Sequence, residues 1–283
     1  MLNGPFSPWP SFTEEEAEKV KQVLLSNKVN YWTGQEGREF EKEFAAWADC
    51  DHAVAVANGT LALDLALKAI DIKHGDEVIV TPRTFLASVS SVVTAGGTPV
   101  FADVDLNSQN IEAEFIERVI TDKTKAIIVV HLYGMSAKMD EIVAVSNKYD
   151  IVLIEDAAEA LGSTYKDQKC GTFGDFGILS FNGNKIITTS GGGSLVCKNE
   201  EDKQKAIFLA TQARDNAPHY QHSQVGYNYR MSNIVAGIGR GQMEVLDKHI
   251  GLRRANNPFY QNLFQRINGI TVFTESTKNY FSN

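Results

Sequence analysis

Three short runs of this sequence hold residues able to do chemistry. The first is Ser180-Phe181-Asn182-Gly183-Asn184-Lys185, followed by Thr188-Thr189-Ser190-Gly191-Gly192-Gly193. An amine becomes nucleophilic near neutral pH only when its charge is disfavoured, and partial desolvation does this. A glycine- and hydroxyl-rich turn close after an apolar strand could supply that setting for Lys185. Its ordinary reading is a solvated surface lysine at an Asn-Gly turn. The second run is Ile151-Val152-Leu153-Ile154-Glu155-Asp156-Ala157-Ala158-Glu159. An acid just past an apolar strand costs free energy unless a cation meets it. A protonated pyridine nitrogen is such a cation, and a helix N-cap is the ordinary alternative. The third is Asn58-Gly59-Thr60 after Val54–Ala57. A strand, a glycine turn and a helix start present free N–H groups that suit a phosphate. It is neither a dinucleotide fingerprint nor a P-loop, and taken alone an ordinary βα turn with an Asn or Thr cap is the favoured reading. Phe85, in Thr84-Phe85-Leu86-Ala87-Ser88, adds an aromatic ring after another strand-like run.

The elements that must position these residues alternate along the chain. Strand-like runs fall at Ala53–Ala57, Glu77–Thr81, Pro99–Ala102, Ala126–Val130, Ile151–Glu155, Gly177–Phe181 and Ser194–Cys197. Several are continuously apolar, as strands covered on both faces are. Thr13 with Glu16 is a capping box ahead of Ala17, Val20 and Leu24. Phe40, Phe44 and Trp47 make a helical stripe, and Asn58–Ile70 and Asp140–Lys148 also have helical periodicity. The pattern predicts an α/β fold with a mostly parallel, seven-stranded sheet between helix layers. In such sheets ligands gather at the carboxyl ends of the strands. From about Ser232 a long helix runs through Met243, Leu246 and Ile250 to about Phe264, followed by a strand-like Ile270–Phe273. Gly237 and Gly241 would let another backbone approach that helix, for core packing. The expected division is a large domain over residues 1–240, and over 241–283 a long helix with the start of a smaller domain.

Bulk properties exclude other classes. There are 27 Lys+Arg against 35 Asp+Glu, a net charge of −8. That acidic balance argues against nucleic-acid binding, which needs clustered basic residues. No apolar run is long enough for a membrane helix, and the first ten residues lack the blocks of a signal peptide. Cys50, Cys170 and Cys197 are scattered, so neither a disulfide framework nor a metal pair is expected. His219 and His222 lack nearby partner ligands. A reducing cytoplasm is the expected location.

Taken in order, these runs resemble the fold-type I sugar aminotransferases of the DegT family. The resemblance extends through Gly75-Asp76-Glu77-Val78-Ile79, His131-Leu132-Tyr133-Gly134 and Gly226-Tyr227-Asn228-Tyr229-Arg230-Met231-Ser232. It covers residues 1 to about 265. It implies pyridoxal 5'-phosphate as cofactor, with Lys185 as its Schiff-base lysine and Asp156 holding the pyridine nitrogen. Glu159 falls near the 3-hydroxyl, and Phe85 stacks on the ring. Gly59, Thr60 and Ser180 hold the phosphate. Asn228 reaches the phosphate of the neighbouring subunit's cofactor, which implies a homodimer with shared sites. Arg230 is expected to approach the sugar nucleotide. The Phe181–Gly193 run is similar to the branch acting on UDP-linked 4-keto-6-deoxy-N-acetyl sugars in surface-polysaccharide or glycan synthesis, with glutamate as amino donor. Arg83 stands where relatives more often have Ser. The family continues into a larger C-terminal domain than residues 241–283 provide, so this chain is expected to be short at that end. A dehydratase of the same fold is a rival, in which histidine often replaces the lysine; a non-catalytic binding or regulatory protein is another.

Overall fold

The computed structural model describes residues 9–275 and 277–282. Helices α1 (Glu14–Leu25) and α2 (Glu36–Ala48) precede strand β1 (His52–Val56). Then come α3 (Gly59–Ala69), β2 (Glu77–Val80), α4 (Leu86–Ala95), β3 (Thr98–Phe101), α5 (Ala113–Glu117) and β4 (Thr124–Val130). Helix α6 (Met139–Tyr149) leads into β5 (Val152–Asp156), a small hairpin of β6 (Thr164–Tyr165) and β7 (Gln168–Lys169), and β8 (Phe176–Ser180). Strand β9 (Gly193–Cys197), α7 (Glu200–Ala210), α8 (Asn233–Phe264) and β10 (Tyr280–Phe281) complete the described chain.

All seven expected strands join one sheet, in the order β1-β9-β8-β5-β4-β2-β3. Strand β9 is antiparallel to both neighbours, and the other pairings are parallel. Successive side chains of a strand face opposite sides, and both sides are buried here. Val78, Val80, Ala126, Ile128 and Val130 join a core with α3, α4 and α7. Ile79, Ile127, Val129 and Leu153 join a second core with α5 and α6. A third gathers Phe40 and Phe44 of α2 with Leu179, Phe181, Leu246 and Ile250. The continuous apolar character of these strands therefore follows from helices on both faces.

The capping box is formed: the Glu16 carboxylate accepts from the N–H and the hydroxyl of Thr13. That carboxylate also accepts from Gln242 of α8. A Cβ on Gly241 would meet the Glu16 side chain at 2.6 Å, so α1 and α8 touch across a glycine. One expectation is corrected: residues 270–273 form no strand, and β10, further on, pairs with β6 instead. The long helix expected from about Ser232 to Phe264 is α8, whose buried positions extend to Ile250.

Candidate active site

The carboxyl ends of β1, β2, β4, β5 and β8 open onto one cavity of about 430 Å³. Among its lining are Gly59, Thr60, Phe85, Asp156, Glu159, Ser180 and Lys185. Seven residues singled out from the sequence, from four separate runs, therefore converge.

The floor is set by β5. Asp156 ends that strand, with its side chain buried. Its Oδ2 accepts from Ser88 Oγ at 2.6 Å, and its Oδ1 accepts from Ala158 N–H at 3.2 Å. Thr84 and Ser88 hydroxyls lie 2.7 Å apart, extending the relay to the first turn of α4. Burial pushes the Asp156 carboxyl up, against the Ser88 hydroxyl, the Ala158 N–H and the charge of Lys185. No salt bridge neutralises Asp156 among the described residues. A buried carboxylate lacking a cation is what a protonated ring nitrogen would complete.

Next to it, Glu155 faces the other side of the sheet. Its Oε1 accepts from the N–H groups of Phe173 and Gly174, and its Oε2 from Gly171 N–H and His131 Nε2 at 2.9 Å. Ala137 N–H donates to His131 Nδ1, so the ring is held as the Nε2–H tautomer. Glu155 is thus a clamp for the loop before β8, and His131 lies between that clamp and the cavity. Sequence reasoning missed both roles, and missed Ser88; the acid at the strand end was the only signal for Glu155.

At one end of the cavity, Asn58 caps α3 by accepting from Leu61 N–H. The N–H groups of Gly59 and Thr60 sit in the first turn, with no intrahelical carbonyl to meet. A Cβ on Gly59 would stand 2.9 Å from Ser180 Cβ, so only glycine lets the serine come this close. Two N–H groups and a hydroxyl form a cup for an anion. Phe85, the residue before α4, is 77% exposed; a flat ring above it would cover that apolar face.

At the other end, Lys185 is mostly buried, and its Nζ lies 3.5 Å from Glu159 Oε1. Glu159 Oε2 accepts from Tyr133 N–H at 3.2 Å. The set comprises a covalent anchor, a buried acid, a phosphate cup and a stacking ring, and these residues fit pyridoxal phosphate.

Two expected residues lie elsewhere. Arg230 does not line the cavity. Its guanidinium pairs with Glu41 and lies 4.0 Å over the Tyr31 ring, buried between β1 and α2. The expected approach to the sugar nucleotide is therefore not met in this pocket. Asn228 also lies outside it, exposed, in a segment tied to β1 by Ala57 N–H donating to Tyr229 O. Arg83 is exposed and outside the lining.

The model of the DegT/DnrJ/EryC1/StrS aminotransferase family matches residues 10–282. The chain belongs to that family. Over 275 residues it is 42% identical to EpsN of Bacillus subtilis strain 168, assigned as a pyridoxal phosphate-dependent aminotransferase. The match covers 94% of this chain and 70% of EpsN. Over 250 residues it is 44% identical to GDP-perosamine synthase of Caulobacter vibrioides, covering 87% of this chain and 67% of that one. The aminotransferase structure from Psychrobacter cryohalolentis superimposes with a TM-score of 0.92 at 45% identity, over 98% of this chain and 75% of that one. As a DegT/DnrJ/EryC1/StrS aminotransferase, the chain has the fold-type I sheet that the sequence predicted. No helix of the described residues is long and apolar enough to cross a membrane.

Proposed function

We propose that this chain holds pyridoxal phosphate on Lys185 and moves an amino group from glutamate to the keto carbon of a nucleotide-linked sugar. The substrate is a UDP-linked 4-keto-6-deoxy-N-acetyl-hexose, used in surface-polysaccharide or glycan synthesis in the cytoplasm. One observation carries the reading: Lys185, the uncompensated Asp156 and the Gly59–Thr60–Ser180 cup line one cavity.

When bound, the cofactor supplies an electron sink for cleaving a bond at the amine-bearing carbon. The chain does the rest. Gly59 and Thr60 N–H groups and Ser180 Oγ bind the phosphate. Asp156 keeps a proton on the ring nitrogen, and the Ser88 hydroxyl and Ala158 N–H hold its two oxygens in place. Phe85 covers the ring face. Glu159, beside Lys185 Nζ, receives the 3-hydroxyl. Lys185 Nζ would take a proton from the amine-bearing carbon and return it, as general base and then acid. Asn228 serves the cup of a partner subunit, a reading supported by its exposure outside its own chain's cavity.

The test has two stages. Protein loaded with pyridoxal phosphate is reduced with borohydride and mapped, and the adduct should fall on Lys185. Glutamate is then supplied with a panel of UDP- and GDP-linked keto-sugars, and amino-sugar products are sought by mass spectrometry. GDP-linked members are included because a relative is named GDP-perosamine synthase. An adduct on another lysine, or no amino sugar from any member, sinks the proposal. Product from GDP-linked members alone replaces the nucleotide.

A further inference from the structure

A second chamber of about 160 Å³ shares Glu159 and Lys185 with the cofactor cavity and adds Tyr133, Ile186 and Arg253. Arg253 comes from α8, beyond Ile250, where the helix stops being buried. Other arginines of this helix are paired: Arg240 with Glu36 and Glu43, and Arg254 with Glu275. Arg253 lies 5.3 Å over the Trp9 ring and has no acid partner among the described residues. The chamber thus presents a guanidinium free to take an anion. It also presents a carboxylate, Glu159, whose cationic neighbour is the Lys185 amine at 3.5 Å.

We infer that this chamber takes the amino donor as a zwitterion, with a donor carboxylate on Arg253 and its ammonium toward Glu159 and Lys185. The inference rests on the amino transfer proposed above and assigns its donor subsite. A planar guanidinium matches a carboxylate bidentately. The ammonium of an amino acid is complementary to Glu159, where a nucleotide diphosphate would bring like charge. Lys185 lines both chambers, so a donor held here has its nitrogen beside the atom it must displace.

Two measurements test this on wild type, Arg253→Gln and Arg253→Lys. One is calorimetric titration of L-glutamate into cofactor-free protein. The other is the glutamate dependence of the loss of visible absorbance in cofactor-loaded protein. Removing a charged, hydrogen-bonded partner weakens binding about tenfold or more. Arg253→Gln should raise half-saturating glutamate by that factor, with cofactor loading and limiting rate near wild type. Arg253→Lys should recover part of the loss. Glutarate, lacking the ammonium, should bind more weakly than glutamate and still respond to Arg253→Gln. Unchanged glutamate half-saturation, no glutamate binding by wild type, or a defect confined to the sugar nucleotide overturns the inference. If no cofactor attaches at Lys185, the parent proposal fails, and the calorimetry still decides on Arg253.

Discussion

Burial holds the Asp156 carboxyl above its ordinary value of 3.8 in the chain alone, against the Ser88 and Ala158 hydrogen bonds. The folded state therefore binds more protons than the unfolded state between that value and the raised one. The contribution of Asp156 to stability is therefore largest below the ordinary aspartate range and is lost as pH rises through the raised pKa. Asp156→Asn removes this cost. Cofactor-free Asp156→Asn should melt above wild type at neutral pH, by roughly 2 °C or more, with the gap closing as pH falls below the aspartate range. Loading pyridoxal phosphate should reverse the order, because the ring proton compensates only the carboxylate. Identical melting curves at all pH values would contradict the account. Ser88→Ala removes the 2.6 Å hydrogen bond to Oδ2. It should lower cofactor affinity about tenfold, a charged hydrogen bond being worth about 1.5–3 kcal/mol, while Ser88→Thr restores most of it. Equal affinity in Ser88→Ala, by absorbance titration, would make the contact structural only. Asp156 and Lys185 were legible because their types are unusual where they stand. Ser88 was not, since a serine in a helix carries no mark of the partner it meets.

The strand β5 shows how an element sorts its residues. Glu155 and Asp156 are adjacent acids, and strand alternation sends them to opposite faces. Asp156 reaches the cavity, whereas Glu155 meets four donors from His131 and the loop 171–174. Glu155→Gln offers an amide N–H₂ where an acceptor is needed. It should cost about 2–4 kcal/mol in urea unfolding, and a loss under 1 kcal/mol would show that the loop holds itself. Helix α4 was not singled out among the helices expected between strands, because Leu86–Ala95 is rich in serine and β-branched residues, which are weak helix formers. Burial of Ala87, Val92 and Ala95 against the sheet outweighs that propensity. The Ile270–Phe273 run errs the other way: its β-type residues found no sheet edge, and strand propensity is mainly a measure of fit to one.

Across the whole molecule, Asn228 makes assembly testable. If partners complete each other's phosphate cup, cofactor affinity falls on dilution to monomer, since a ligand of the assembled state stabilises that state. Mixing Lys185→Ala with Asn228→Ala chains should restore partial cofactor function in hybrids, read as recovered visible absorbance. No recovery despite confirmed subunit exchange would place Asn228 within its own chain's structure. The pattern of seven strands, the strand–glycine–helix turn at Asn58-Gly59-Thr60 and the candidacy of Lys185 were determined by the sequence alone, because each is written within a few consecutive residues. Tertiary structure alone decided the antiparallel β9, the commitment of Arg230 to Glu41 and the meeting of Ser88 with Asp156. Those last two contacts join residues 189 and 68 positions apart. Local periodicity holds no record of such pairings; they arise when burying both sheet faces selects one strand order and brings distant side chains to the same edge.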